Sequence, residues 1–205
     1  MLHLATRESN TEILKYLVSQ EANVNVKNAR GETPLDYAII KNTSVEVLKY
    51  FISLGADINP EGHTPLCSAA EHNSNVEVLE CLISNGADVN AGGKYNGTPL
   101  HKSALRNSNV KVLECLIFLH GAVVNAKDEF GCTPLHKAVH NPNVDVFHYL
   151  VSHGADVNAK DKYGWTPFDH ANTEEKRNTL RESMEVSKSI MKSTKQMGLR
   201  LNITK

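Results

Sequence analysis

The chain has no apolar run approaching the ~18–20 residues needed to cross a bilayer. Residues 1–20 interleave apolar and charged positions, so they contain no signal-peptide core either. A soluble, non-exported protein of 205 residues is the expectation that follows. Cysteine is scarce. Cys67, Cys81, Cys115 and Cys132 include no CxxC pair and no zinc-type spacing, which speaks against a disulfide framework. Cys81 and Cys115 fall inside apolar helical runs and read as small core residues, which fits a reducing, cytoplasmic compartment. Net charge is only −1, so the chain as a whole gives no electrostatic case for nucleic acid. There is no GxSxG nucleophile elbow and no phosphate-binding loop. The composition that is present, 40% apolar and 22% charged residues, suffices for a buried core and a solvated surface.

Repetition is abundant. Thr-Pro-Leu or Thr-Pro-Phe recurs at Thr33, Thr64, Thr98, Thr133 and Thr166, with spacings of 31, 34, 35 and 33. A second segment follows the first four of these, beginning at Val45, Val76, Val110 and Val144, and an earlier copy starts at Thr11. A period near 33 with short helices marks a stacked solenoid. Each Thr before Pro predicts a helix start, with the hydroxyl capping free amides and proline at the first helical position. Leu35, Ala38 and Ile39 then face neighbours, and the small column Ala38, Ala69, Ser103, Ala138 and Ala171 lets adjacent helices approach closely. Asn42, Asn73, Asn107 and Asn141 end the first helix, where asparagine is expected to serve a left-handed turn. In the second helix Glu77, Glu80 and Ser84 form a polar stripe opposite Val76, Leu79, Leu82 and Ile83. Gly55, Gly86 and Gly154 terminate it.

These residues resemble the ankyrin repeat, whose pattern DxxGxTPLHxAA followed by GADVNA is nearly complete over residues 128–139 and 154–159. The resemblance implies an all-α solenoid of stacked helix–turn–helix units with short β-hairpin finger loops. It also implies binding to another protein through the fingers and the inner, concave helices. The units fall at 1–29 (truncated), 30–60, 61–94, 95–129 and 130–162, with a C-terminal cap at 163–182 and a basic, partly helical or disordered tail at 183–205. The family's histidine of the TPLH position orders backbone and neighbouring loops. His3, His101 and His136 match it, whereas Asp36, Cys67 and Asp169 replace it. The family's loop asparagines, best matched by Asn90 and Asn158, can be hydroxylated by a host enzyme.

Several places depart from the pattern. The first unit starts inside its first helix, as a shortened cap or a fragment of a longer array, with Arg7, Glu8 and Lys15 as part of a polar outer face. The loop entering Thr64 is three residues shorter than the others, which predicts a stunted finger. Asn96 takes a glycine's place before Gly97, a tolerable exchange at positive φ. The segment IFLHG carries one extra residue. Either Phe118 then stays in the polar column of Ser53, Ser84 and Ser152 and makes an outer apolar patch with Leu119 and Val123, or a bulge turns it inward. Polar residues at 173–177 replace the apolar ones of earlier repeats, as a cap requires, with Glu174 and Glu175 suiting a helix N-terminus. From Arg181 onward six basic and two acidic side chains give +4. Met184, Ser187, Ile190, Met191 and Thr194 fall near helical spacing, and residues 197–200 break that helix. This tail is a docking helix or basic anchor, or else a helix that lengthens the cap and frays.

Ten histidines raise the question of a metal. His136 and His140 share one helix face, but the glutamate of HExxH is missing and no third ligand is evident. No metal, no cofactor and no catalysis are expected. The finger columns instead hold Lys27, Ala29, Arg30 and Glu32, then His63, then Lys94 and Tyr95, then Glu129, Phe130 and Cys132, then Lys162, Tyr163 and Trp165. Tyr95, Phe130 and Tyr163 align as an aromatic row beside Trp165, with His72, Arg106 and His140 as its floor. Aromatic residues among scattered charges have the composition of interface hot spots, although the same rings could pack between fingers and stabilise the stack. A monomer that binds an unidentified protein partner, as scaffold, adaptor or inhibitor, without nucleic acid or a membrane span, is the expected protein. A structural fragment of a longer array is the alternative.

Overall fold

The computed structural model describes residues 2–7, 11–29, 31–41, 44–60 and 64–171, and residues 174–189 apart from 175, 176, 179, 183 and 187. Among the described residues five helix pairs follow one another. They are α1 (Leu2–Arg7) and α2 (Thr11–Ser19), α3 (Pro34–Ile40) and α4 (Val45–Ser53), and α5 (Pro65–His72) and α6 (Val76–Ser84). Next come α7 (Pro99–Arg106) and α8 (Val110–Glu114), then α9 (Pro134–Ala138) and α10 (Val144–Ser152). The first members pack in series, α1 on α3, α3 on α5, α5 on α7 and α7 on α9. The second members form a parallel series from α4 through α6 and α8 to α10. Two helical layers result, with one continuous apolar core between them.

The repeat's composition explains this stack. Leu35, Leu66, Leu100 and Leu135 are fully buried, each worth ~1.5–3 kcal/mol relative to exposure. The small column from Ala38 to Ala171 is buried throughout, so inner helices pack closely. The threonine starts behave as expected: Thr33 forms a capping box with Asp36, and Thr98 and Thr133 form theirs with His101 and His136. The second helices have caps of their own, because Asn75, Asn109 and Asn143 accept from the amides of Glu77, Lys111 and Asp145.

Asparagine at the end of the first helix works differently from the sequence expectation. Asn73 and Asn107 are extended, at φ −110° and −89°, not left-handed. Their side chains do the joining. Asn107 Nδ2 donates to the carbonyls of Ala70 and Asn73, and Asn141 Nδ2 to those of Ala104 and Asn107. A second ladder runs along the other edge, where Asn25, Asn59, Asn90 and Asn125 each donate to the carbonyl of the next repeat's terminating glycine. Asn42 lies outside the described residues.

The extra residue of the fourth repeat is absorbed as a π turn over Cys115–Leu119. Ala122 N–H therefore reaches Leu116 O across six residues, where Ala87 reaches Leu82 across five. The bulge leaves Phe118 in the outward column, 75% exposed, beside exposed Leu119 and Val123. The inward alternative fails because the phase of the helix is kept up to Leu116, which is buried like Leu82.

At the C-terminal end Glu174 accepts from Arg181 at 3.0 Å, Arg177 donates to Ala171 O, and the Arg181 guanidinium lies over the Phe168 ring. The expectations for Glu8, Arg30, residues 61–63 of the short finger, Thr173, Glu175, Ser187, Ile190 and everything from Met191 onward fall outside the described residues. None of the described helices is long and apolar enough to cross a membrane.

Candidate protein-binding surface

The first, fourth and fifth fingers are each built around one polar hub. Asp161 Oδ1 accepts from the amides of Tyr163 (2.8 Å) and Trp165 (3.0 Å), and Asp128 Oδ1 accepts from those of Phe130 and Cys132, both at 2.9 Å. Asn28 does the same for Glu32. Two backbone bonds close each of these turns. Residue i donates to the carbonyl of i+4 (Asn28 to Glu32, Gly93 to Gly97, Asp128 to Cys132, Asp161 to Trp165), and residue i+3 donates back to the carbonyl of i (Gly31 to Asn28, Asn96 to Gly93, Gly131 to Asp128, Gly164 to Asp161). No strand is present among the described residues, and the described fingers are tight five-residue turns, so the expected β-hairpin ladders are not confirmed. The third finger has Gly93 in place of the aspartate hub, and Tyr95 and Asn96 there adopt left-handed φ of 60° and 54°. Asn96 thus fills the role Gly131 and Gly164 fill elsewhere, as the sequence suggested.

Fingers are also fixed to one another. Glu129 N–H donates to Tyr95 O at 3.0 Å, and Lys162 N–H to Phe130 O at 2.9 Å. The histidine column ties each inner helix to the next finger: His3 Nε2 donates to Glu32 O, His101 to Cys132 O, and His136 to Trp165 O. Cys67 Sγ reaches Gly97 O in the same way at 3.4 Å. In His101 and His136, Nδ1 accepts the amide of Thr98 or Thr133, so both ring nitrogens are engaged and the proton sits on Nε2. Burial holds both imidazoles below their ordinary pKa, against the opposing pull of those carbonyls. His136 consequently has no nitrogen to offer a metal alongside His140, whose ring instead approaches His170 at 6.3 Å.

On this frame Tyr95 and Phe130 pack ring to ring at 5.7 Å, with Lys94 Nζ 4.8 Å above the Tyr95 ring. Both rings keep substantial exposure, and Tyr163 is 75% exposed. Trp165 leans its half-exposed indole against His170 at 5.6 Å. Lys162 and Glu129 are exposed between them. The row is therefore partly self-packed and partly open to solvent. Arg106 pairs with Glu71 at 3.1 Å, and Lys102 and His72 approach the same carboxylate. His140 is exposed at the end of the inner layer. Cys132 does not belong to the surface. Its side chain is 6% exposed because the Asp128 hub pulls its amide inward, and burial pushes its thiol pKa up. Sequence reasoning missed Glu71, Lys102 and the aspartate hubs. The hubs were marked by an aspartate five residues before each of Thr133 and Thr166.

A family description, ankyrin repeats in three copies, matches residues 1–61, 41–128 and 100–182. The chain belongs to the ankyrin repeat family. It is 38% identical over 58 residues to ankyrin repeat protein FPV031 of Fowlpox virus (strain NVSL). That stretch is 28% of this chain and only 17% of the viral protein's length. Ankyrin repeats are generally protein–protein interaction modules, and the family is typically non-enzymatic.

Proposed function

We propose that this ankyrin array is a non-catalytic, monomeric scaffold, adaptor or inhibitor that grips a folded partner protein with its third to fifth fingers. The observation that carries the reading is the continuous edge from Lys94 to Trp165, where backbone bonds between fingers hold exposed aromatic and charged side chains in fixed positions. Rigid anchors lose little conformational freedom on binding, which favours affinity. Lys94, Tyr95, Glu129, Phe130, Lys162, Tyr163 and Trp165 form the edge, and Arg106 and His140 its concave floor. The unit boundaries from 1–29 to the cap at 163–182 are part of this proposal. Four buried free cysteines support a reducing, cytoplasmic setting.

A second reading has an observation of its own. Leu4, Ile13 and Tyr16 expose apolar area on the first helix pair, as expected of a unit that stacks on a further repeat in a purely structural array. One experiment separates the two. Tyr163→Ala combined with Lys162→Glu alters exposed atoms without touching a buried contact, so melting should match the wild type. On the first reading, wild-type bait captures a partner that is lost from this variant. On the second, a structural fragment with no independent partner, wild-type bait captures none. Equal capture by both baits refutes the finger surface.

A further inference from the structure

We propose that Cys132, Asp161 and His170 form a binding site for a zinc-class divalent metal ion at the base of the fifth finger. Their donor atoms (sulfur, carboxylate oxygen and imidazole nitrogen) all lie within 4.8 Å of one another. Cys132 and Asp161 are buried, and His170 is partly so. A tetrahedral zinc ion with bonds of about 2.0–2.3 Å holds its ligands roughly 3.3–3.8 Å apart. Small side-chain rotations suffice to close the difference.

The preceding repeat shows why this position is unusual. There the slot beside the finger aspartate is filled by a built-in cation, with Lys137 Nζ 2.7 Å from Asp128 Oδ2. Nine residues separate Asp128 from Lys137, and nine separate Asp161 from His170. His170 therefore replaces an ammonium with a ligand, its Nε2 donating to Asp161 Oδ2 at 2.9 Å. Cys132 stands where the previous finger has Gly97, so a thiol is added where that finger has no side chain. Two soft-to-borderline donors and one carboxylate suit zinc, whereas magnesium and calcium prefer oxygen alone.

Charge and orientation agree with the assignment. A thiolate and a carboxylate neutralise a divalent ion, which removes most of the cost of placing it in a largely buried site. Burial raises the Cys132 thiol pKa, with Lys137 opposing and Asp128 and Asp161 adding to it, so the incoming ion itself displaces the proton. The Lys137 charge is met by Asp128. Asp161 Oδ1 is occupied by two finger amides, which leaves Oδ2 aimed at the site. The rings of His136, Trp165 and His140 flank His170 and fix its plane. On binding, the Cys132 thiol releases its proton to solvent. When the metal takes Nε2, the imidazole's single proton leaves Nε2 and Nδ1 takes up one from solvent, so the ring stays neutral. Water completes the fourth position on the exposed side of His170. The ion would then clamp the bases of the fourth and fifth fingers together.

Trp165 is the chain's single tryptophan and touches His170, so it reports on this site alone. The test is a Co(II) titration of the full chain after chelator treatment. One equivalent should produce a thiolate-to-cobalt charge-transfer band and tetrahedral ligand-field bands, with quenching of Trp165 emission at the same concentrations. Zinc should reverse all three. Cys132→Ser should remove the charge-transfer band, and Cys67→Ser should keep it. His170→Gln should weaken binding at least tenfold, since even outer-shell partners change metal affinity ten- to a hundredfold. No thiolate band at one equivalent overturns the site, as does a band that survives Cys132→Ser or is unweakened in His170→Gln. Should Cys132→Ser fail to fold by circular dichroism, the wild-type titration still decides, because a band without coincident Trp165 quenching also overturns it. The finger-binding proposal stands or falls separately.

Discussion

Replacing Asn107 by alanine removes three hydrogen bonds at once: Nδ2 to the carbonyls of Ala70 (3.0 Å) and Asn73 (2.9 Å), and the Asn109 amide to Oδ1 (3.0 Å). Asn107 is only 6% exposed, so water cannot fully replace them. At about 1 kcal/mol net for each bond the loss is about 3 kcal/mol, rising toward about 5 kcal/mol if the carbonyls stay buried and unpaired. Domains of ordinary stability have only about 5–15 kcal/mol in total, so this is a large fraction. The bonds join one repeat to the next, and repeat arrays are held by nearest-neighbour interfaces. Urea denaturation followed by circular dichroism should therefore show a lower midpoint together with a smaller m value, as the two sides of the interface begin to unfold separately. Two further substitutions separate the side chain's role from the backbone's. Asn107 sits at φ −89°, ψ 118°, an extended conformation in which glycine relieves no strain. Asn107→Gly should therefore cost at least as much as alanine. Asn107→Asp keeps one acceptor but points a carboxylate oxygen at two carbonyls, so at pH 7 it too should cost no less. A glycine variant within about 0.5 kcal/mol of the wild type would refute the side-chain ladder and restore a turn role.

Stability should also depend on pH through His101 and His136, whose pKa values in the fold lie below the ordinary 6.5 because they are buried. A depressed histidine contributes fully above its unfolded pKa, and the contribution is lost as pH falls through the folded one. The urea midpoint should drop between pH 7 and pH 5, and the double variant His101→Asn, His136→Asn should be less stable at pH 7 but flatter. An identical slope in the two proteins would count against the assignment. Glu21 occupies the helix-terminating position that Gly55, Gly86 and Gly154 hold elsewhere, at φ 61°. The left-handed conformation costs a non-glycine residue about 1 kcal/mol or more. Glu21→Gly should raise the thermal midpoint by up to about 1 kcal/mol equivalent, and an unchanged or lower midpoint would argue that the glutamate is unstrained.

The parts of the fold visible in the sequence were those set by apolar period and by backbone chemistry. The leucine of each Thr-Pro-Leu motif, the small column from Ala38 to Ala171, the threonine caps and the glycine terminators each follow from one physical demand per position, and repetition made that demand conspicuous. Asparagine misled because one residue type serves two purposes. It tolerates left-handed backbone, and its amide can donate and accept at once. Only the stacked neighbour shows that Asn107 does the second. The extra residue before Gly121 was countable, but its effect on Phe118 depended on where the helix absorbs it, and a π turn leaves earlier residues in phase. The finger surface was legible as columns, whereas its pairing was not. Phe130 meets Tyr95 and Trp165 meets His170 through geometry between units. Cys132 shows the same gap most clearly. By column it is a finger residue, yet Asp128 turns it inward, where the next repeat brings Asp161 and His170 to it. Aligning each unit with its neighbour, and asking what replaces Lys137 beside the next aspartate, recovers that meeting from the sequence. The informative comparison in a solenoid is thus between a residue and the contact partner one period away.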